Sequence, residues 1–287
     1  MKKLRLIAAL ILTAASAAVT AAAVSAAEAA EIQPAAAEIQ AEASAASEPE
    51  AARPITSLYG LEAGAASINC NYLSPLPYNG PAVAWYGAWG KEMRQAPEKL
   101  VMAFRAGVEY SKAKSPARNA SMLALTARFG WGPSWRHRLP DGWEITAGAA
   151  LDIYGGILWL PVNGNNPAQA LAYAGIDITA GVSWKTRFGR LPVTFADRAW
   201  LPSAGAFFMP GFGESYYEIY LGNRRGLAHF GWWGNAFGID NHLTMTLHFR
   251  NRRSLVIGYR LDVRSFRANN LTNQYVRNAL SVALQIN

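Results

Sequence analysis

The feature that most constrains this chain is a strict alternation of apolar and polar side chains. In the segment His242–Arg250, every second residue is apolar, and the residues between are His, Thr and Arg. A strand places such sets on opposite faces, whereas a helix would scatter them. The short polar turn Asn251–Arg253 leads into a second alternating run, Leu255–Val263. This pair of runs predicts a β-hairpin.

The same alternation recurs through the chain from about residue 54 onwards. The clear runs are Leu100–Tyr110, Leu123–Trp131, Ile145–Ile153, Ile176–Lys185 and Asn278–Ile286, and the weaker ones are Tyr59–Ser67, Val83–Lys91 and Val193–Leu201. Only 16% of the residues are charged, against about 25% in an ordinary soluble domain. After the first 30 residues, no segment approaches the roughly 20 apolar residues of a transmembrane helix. One cysteine excludes a disulfide framework and any cysteine-built metal site. The sequence therefore predicts an all-β protein.

The second face of these runs holds Gly, Ala, Thr and Ser with a few charges of both signs. Such a face suits the crowded interior of a small barrel, and the apolar face suits lipid. Strands cross a bilayer only as closed barrels, because an open edge would leave backbone groups unpaired. Aromatic residues at run ends, such as Tyr110, Trp131 and Trp184, are typical of interfacial girdles. We therefore predict a transmembrane antiparallel up-and-down β-barrel, with a soluble barrel or sandwich as the alternative.

Charged and polar residues on the second face are predicted to line the lumen and to pair across it. These are Arg105, Glu109, Arg128, Asp152, Asp177, Lys185, His248, Arg260, Asp262 and Arg264. A selective pore lined by the same charges is the functional alternative.

Short and long links alternate along the chain, as they do in outer-membrane barrels. The short links are Arg94–Lys99, Leu139–Gly142, Gly189–Leu191 and Asn251–Ser254, and the long ones are Leu73–Pro81, Ser111–Asn119, Pro161–Gln169 and Arg267–Gln274. This order predicts an even number of strands and places both ends of the barrel on the periplasmic side. The segment Pro202–Asn241 decides the number. Strands at Tyr216–Leu221 and Leu227–Trp233 give twelve, the preferred count, and one long outer loop gives ten.

Two segments precede the predicted barrel at residues 54–287. Residues 1–27 combine Lys2, Lys3 and Arg5 with an apolar run and small residues, which is typical of a secretory signal peptide. Residues 28–53 contain six glutamates among mostly Ala, Ser, Gln and Pro, and we interpret them as an acidic, disordered leader. The barrel segment has 23 basic and 13 acidic residues, a net charge of +10.

Several motifs resemble an uncharacterised family of outer-membrane β-barrels, a domain of unknown function in Bacteroides-type bacteria. They are the segment Gly213–Asn223, the triplets His229–Gly231 and Gly258–Arg260, and the loop Pro161–Pro167. The resemblance covers the chain from about Tyr59 to its C-terminus and implies the fold and the compartment. It carries no settled activity. The chain ends without the terminal aromatic residue that barrel-assembly signals often have.

An outer-membrane lipid acyl hydrolase, acting on phospholipid or lipid A, is the enzyme hypothesis. Ser215, His229 and Glu214 offer a nucleophile, a base and an orienting group, and Asn235 is the alternative orienting residue. The usual arrangement of a His and a Ser two residues apart on one strand is missing, since Gly231 follows His229 at that spacing. The four histidines do not predict a metal site, and no cofactor is expected.

The sequence thus favours a non-enzymatic protein of the cell outer membrane: a narrow pore, a transport accessory or an envelope-structural protein. A surface adhesin or binding platform is a further alternative that rests on the long loops. The expected partners are outer-membrane lipid and the barrel-assembly machinery. The positive charge of the barrel also predicts contact with lipopolysaccharide phosphates. Nucleic acid is not expected, because no basic module with interleaved aromatic residues is present.

Overall fold

The computed structural model describes residues 55–286, apart from residues 95, 97, 165, 215, 223–224 and 250–251. The signal-peptide and leader predictions fall on residues that lie outside these ranges. Among the described residues, no helix has the length and apolar character needed to cross a membrane.

The described chain is built almost entirely of antiparallel β-strands. The strands are β1 (Ile55–Cys70), β2 (Tyr78–Glu92), β3 (Leu100–Lys114), β4 (Ser121–Arg138), β5 (Trp143–Trp159), β6 (Ala168–Phe188), β7 (Leu191–Phe208), β8 (Ala228–Trp232), β9 (Ala236–His248), β10 (Arg253–Ala268) and β11 (Leu271–Ile286). A 3₁₀ turn, Pro140–Gly142, precedes β5, and a short helix, α1 (Tyr216–Tyr220), lies between β7 and β8. The three weaker alternating runs lie within β1, β2 and β7.

The strands close into a barrel. Each strand from β1 to β7 pairs with the next, and β7 pairs with β9, β9 with β10 and β10 with β11. The ring closes where β11 pairs with β1, from Ser57 opposite Ile286 to Cys70 opposite Asn273. Closure removes the open edges that a flat sheet would have, and β8 is the described strand that pairs on one side, with β7. The prediction of an all-β, antiparallel up-and-down barrel is confirmed.

Strands β8 and β9 share one position in the ring. The residues Ala204–Phe208 of β7 pair with β8, and the residues Val193–Trp200 of β7 pair with β9. Residues 233–235 lie between β8 and β9, so the two strands form one interrupted wall element. The described barrel therefore has ten strand positions, and the alternative count of ten is confirmed.

The preferred count of twelve strands is wrong. Tyr216–Leu221 is helix α1 followed by a turn, and its backbone bonds within itself, with the Leu221 amide donating to the Tyr217 carbonyl at 3.0 Å. The hydroxyl of Tyr216 accepts a hydrogen bond from the Ala170 amide at 2.6 Å. Tyr216 therefore docks the helix against the start of β6, and β8 has no second strand with which to form a hairpin.

The links divide the barrel into a short-turn end and a long-loop end. Links at residues 93–99, 139–142, 189–190 and 249–252 lie at the short-turn end together with the termini of β1 and β11. The prediction of a long link at Arg267–Gln274 is wrong, because β10 and β11 are joined by Asn269 and Asn270 alone. Both residues have positive φ values, 52° and 60°. Asparagine tolerates this conformation, which the two-residue hairpin turn requires.

The two faces of the wall differ as the alternation predicts. Large apolar side chains face outwards around the ring, and Leu61, Leu280 and Val282 are 66%, 69% and 55% exposed. Their neighbours Glu62, Arg277 and Ser281 face inwards and are buried. A monomeric soluble protein rarely exposes so continuous an apolar band, so this outer surface requires an apolar partner.

Strand packing at the closing seam leaves no space for a side chain at Gly64. A Cβ atom there would lie 1.9 Å from the carbonyl oxygen of Asn278 on β11. We therefore expect Gly64→Val to lower the free energy of unfolding by about 1–3 kcal/mol, as overpacking does. Urea unfolding of the refolded barrel measures this. Gly164→Ala is the control, since nothing lies within 4 Å of its Cβ position. Equal stability of the two variants would contradict the close packing of β1 against β11 at Gly64.

Candidate functional site in the barrel interior

A layer of ion pairs crosses the barrel interior near the middle of the strands. In the described part of the chain, five arginines and six carboxylates form this layer through direct contacts. They are Arg105, Arg128, Arg260, Arg264 and Arg277 with Glu62, Glu109, Asp152, Asp177, Asp240 and Asp262. We call this set the ion-pair layer.

Asp240 of β9 is one centre of the layer. Its carboxylate accepts a hydrogen bond from Arg105 on β3 at 2.6 Å and from Nε of Arg260 on β10 at 2.9 Å. Arg128 on β4 donates to the same carboxylate. Because β3 and β4 lie opposite β9 in the ring order, these contacts cross the lumen.

Asp152 of β5 and Asp177 of β6 form a second centre. Arg128 donates to both oxygens of Asp152, at 2.7 and 3.1 Å, and to Asp177 at 3.3 Å. Arg105 also lies 3.3 Å from Asp152. The paired, two-oxygen contact with Arg128 is among the stronger kinds of charge-assisted hydrogen bond.

Glu62 of β1 ties the closing seam to the layer. Its carboxylate accepts a hydrogen bond from Arg260 at 2.7 Å and another from Arg277 on β11. Nε of Arg277 lies 2.9 Å from the carboxylate of Glu109 on β3. The layer therefore includes both sides of the β1–β11 closure.

The remaining two strand positions contribute aromatic rings. The guanidinium of Arg105 lies 3.3 Å from the ring centre of Trp200 on β7, and that of Arg260 lies 5.3 Å from the ring centre of Tyr86 on β2. Cations are attracted to ring faces at such distances. Every strand position of the ring thus supplies either a member of the layer or a ring that contacts one, and these side chains extend across the lumen.

An apolar core fills the lumen between the ion-pair layer and the long-loop end. Ile68, Met122 and Leu158 are at most 1% exposed, and Leu73, Leu160 and Met209 extend this core into the loops. Burial of one such side chain stabilises the fold by roughly 1.5–3 kcal/mol. The long-loop end of the described barrel is therefore closed.

A cavity of about 530 Å³ lies on the other side of the layer, and both charged and apolar side chains line it. Residues near the strand ends line it at its mouth, including Thr56 of β1 and Gln285 of β11. Arg105, Arg128 and Asp240 form its floor. We call this cavity the vestibule, and it is a blind pocket on the short-turn side of the layer.

The structure places eight of the ten predicted lumen residues in the ion-pair layer. The other two, Lys185 and His248, lie in the wall of the vestibule. Nζ of Lys185 is 3.7 Å from Glu144, and the ring of His248 bonds to the hydroxyls of Thr194 and Ser254 at 2.8 and 3.0 Å.

Sequence reasoning missed three members of the layer. Glu62 lies in a run of Gly and Ala that alternates weakly, and Asp240 and Arg277 each lie just before the start of a recognised run. The signal that could have found them is the inward parity of the completed strands: Asp240 is in phase with His242, and Arg277 with Ser281.

The hydrolase candidates are not assembled by the described contacts. Ser215 lies outside the described residues. His229 donates from Nε2 to the Met209 carbonyl at 2.9 Å, whereas the Glu214 carboxylate accepts from the Gly211 amide at 2.7 Å. Asn235 bonds to the backbone of Phe230 and Trp232. Each of these side chains is engaged in holding the loop between β7 and β9.

Tyrosines hold that loop against the long-loop end of the barrel. Tyr72 donates to the Glu214 carbonyl at 2.7 Å, and the side chain of Asn166 donates to the Tyr72 hydroxyl. Burial raises the pKa of Tyr72 and that of Tyr216 above the ordinary tyrosine value. Both hydroxyls therefore stay protonated at neutral pH and serve as hydrogen-bonding groups.

The described ranges contain no group of three or more His, Cys, Asp or Glu residues arranged to hold a metal ion. The acids of the interior are paired with arginine instead.

A closed antiparallel barrel with a filled middle and a blind vestibule is the class of protein that this fold and interior define. The chain belongs to the family described as a protein of unknown function, DUF3316, whose model matches residues 10–285. The resemblance to a domain of unknown function is therefore confirmed, and its assignment to Bacteroides-type bacteria stays a prediction. No curated protein matches the chain.

Several solved barrels are similar in outline. The outer membrane protease OmpT from Escherichia coli is 7% identical, with a TM-score of 0.44, and the match covers 81% of this chain and 96% of that one. The transport unit of the autotransporter AIDA-I from Escherichia coli is 8% identical, with a TM-score of 0.43 and coverage of 84% and 92%. An outer membrane channel from Pseudomonas putida F1 is 9% identical, with a TM-score of 0.32 and coverage of 84% and 100%. Similarity at this level carries no argument about activity.

The ion-pair layer makes a prediction about stability. Asp240→Asn leaves three arginines around a neutral amide, so we expect a loss of about 3–5 kcal/mol in the free energy of unfolding. Urea unfolding in a fixed detergent measures it. Asp141→Asn, in an exposed turn, is the matched control and should change stability by less than about 0.5 kcal/mol. A similarly small effect at Asp240 would mean that the ion pairs of the layer do not stabilise the folded barrel.

Proposed function

We propose that this chain is an outer-membrane β-barrel that does not conduct and that serves as an envelope-structural or transport-accessory protein. The closed lumen carries this proposal. A continuous pore requires an open path, but the side chains of the ion-pair layer extend across the lumen and the apolar core packs the long-loop end of the described barrel. Among the predicted non-enzymatic roles, the geometry therefore supports the structural and accessory ones better than the narrow pore.

The apolar outer wall supports a membrane location. Strands can cross lipid only in a closed barrel. The outward-facing side chains of this barrel are apolar along most of each strand. Exposed aromatic rings such as Trp131, Trp143 and Trp184 lie near the short-turn end, where an interfacial girdle belongs. The short-turn end would then face the periplasm, where the predicted signal peptide would deliver the chain, and the barrel-assembly machinery would insert it.

A role as an adhesin or binding platform draws support from the loop between β7 and β8. Phe212, Tyr217 and Tyr220 are 75%, 69% and 82% exposed there, while the loop itself is fixed by the bonds of Tyr72 and Tyr216. A fixed loop that displays aromatic rings is suited to recognition, because Tyr loses little conformational entropy on binding. The lipid hydrolase is less well supported, because the His229 and Glu214 side chains bond to separate backbone groups.

Conductance measurements test the closed lumen. We expect the refolded chain, inserted into planar lipid bilayers, to give no stable single-channel steps at 1 M KCl, since ions find no aqueous path through the layer. Membrane insertion is verified in parallel by a gel shift between boiled and unboiled samples. Stable, ion-selective steps from every inserted molecule would overturn this proposal in favour of the narrow pore.

Contact with lipopolysaccharide is a second testable part of the proposal. Lys112 and Lys114 are exposed near the long-loop end of β3, where they would meet lipid phosphates. We expect Lys112→Glu with Lys114→Glu to weaken lipopolysaccharide binding and to reduce its dependence on salt. Binding to immobilised lipopolysaccharide at 50 and 300 mM NaCl measures this. The control pair Lys91→Glu with Arg187→Glu changes exposed charges at the opposite end. Equal losses of lipopolysaccharide binding in the two double variants would argue against a specific contact at the long-loop end.

A further inference from the structure

Several hydroxyl groups lie in the wall of the vestibule among apolar side chains. Thr146 of β5, Thr179 and Ser183 of β6 and Thr244 of β9 face it. Hydroxyl groups donate and accept hydrogen bonds, so these side chains can bond to the polar groups of an occupant. The volume of about 530 Å³ is within the usual range of small-molecule sites.

Among the described cations that line the vestibule, Arg198 of β7 is the one without an ion pair within 4.0 Å. Its side chain is exposed to the cavity and passes over Gly181, where an added Cβ would lie 3.2 Å from its Cγ. Within the described residues, Arg198 makes no ion pair within 4.0 Å, and Glu144 acts on it only through a longer electrostatic interaction. In contrast, Arg136 lies 2.6 Å from Glu92, and Lys185 lies 3.7 Å from Glu144.

The surrounding charges limit what Arg198 can hold. Glu92 and Glu144 line the vestibule beside the cations, and the carboxylates of the floor are paired with arginine. A phosphate group with nearly two negative charges would be repelled by these acids. A single carboxylate matches the fork of one guanidinium and adds only one charge.

We propose that the vestibule binds a carboxylate, with Arg198 as the anchoring residue and the Thr and Ser hydroxyls as partners for the polar body of the ligand. This goes beyond the proposed function, because it needs the vestibule but does not depend on the lumen being closed to ions.

The carboxylate would come from a free hydroxylated acid that enters the vestibule from the short-turn side of the barrel. D-Glucuronate is a probe of this kind, and D-glucose is the matched probe without the carboxylate.

A cysteine placed in the vestibule tests the proposal. Ala103 of β3 lines the vestibule and is not one of the proposed ligand partners, so Ala103→Cys is introduced into the full chain. The rate of labelling by a neutral maleimide is measured in detergent with increasing concentrations of each probe. The native cysteine, Cys70, is buried, and the chain without Ala103→Cys gives the background rate.

We expect glucuronate but not glucose to slow labelling. Arg198→Gln should weaken this protection about tenfold or more, as loss of a charged hydrogen-bond donor does.

Control variants separate binding from misfolding. Arg198→Lys keeps the positive charge without the planar guanidinium and should retain part of the protection. Lys112→Gln, on the outer wall at the opposite end, should behave as the parent chain. The boiled and unboiled gel shift reports whether each variant is folded. If glucuronate does not slow labelling of the folded parent, or if glucose slows it equally, the proposal is overturned, whatever the conductance result.

Discussion

The ion-pair layer in the lumen is the constraint on which the rest of this structure depends. Buried charges are costly unless each is paired and hydrogen-bonded, and removing one partner of a buried pair is strongly destabilising. Asp240 meets Arg105, Arg128 and Arg260, so its neighbours on three other strands must all be in register for its charge to be satisfied. A one-residue slip of any of these strands would turn its charged side chain towards the outer face. The layer therefore specifies the register and the closure of the ring.

Small residues make room for the layer and for the vestibule. Gly130 lies against Arg105, and Gly181 lies under Arg198, so these long side chains can cross an interior that larger neighbours would fill. The two sides of the layer then differ in chemistry. Apolar residues pack the lumen towards the long-loop end, and hydroxyl groups and a few charges leave it open towards the short-turn end. The described barrel is therefore packed on one side of the layer and holds a cavity on the other.

Much of the fold could be predicted because alternation is a local signal. The inward set of β9, from His242 to His248, follows directly from a period of two, and so do eight members of the ion-pair layer. The pairing of particular acids with particular arginines could not be predicted, because it depends on strand tilt and on contacts across the lumen. Glu62 shows this well, since its partners are 198 and 215 residues away in the chain.

The errors in prediction have physical causes that can be named. Asn269 and Asn270 form a two-residue turn through positive φ values that many other residues avoid, although the polar residues around them predict a long loop. Apolar and polar residues alternate in Tyr216–Leu221, but the Tyr216 hydroxyl bonds to the backbone of Ala170 and the segment begins with a helix. The vestibule and the unpaired Arg198 were beyond sequence reasoning, because an empty space is defined only once all ten strand positions are assembled.

A double-mutant cycle on Arg128 and Asp152 tests most directly whether the layer holds the barrel together. The unfolding free energies of Arg128→Met, Asp152→Leu and the double variant are compared with that of the parent chain in the same lipid or detergent. Each single change leaves a buried charge without one of its partners, so we expect a large loss of unfolding free energy in both single variants. The loss in the double variant should be much smaller than their sum, with a coupling of about 1.5 kcal/mol or more. Losses that add to within about 0.5 kcal/mol would contradict the claim that these charges act as one layer.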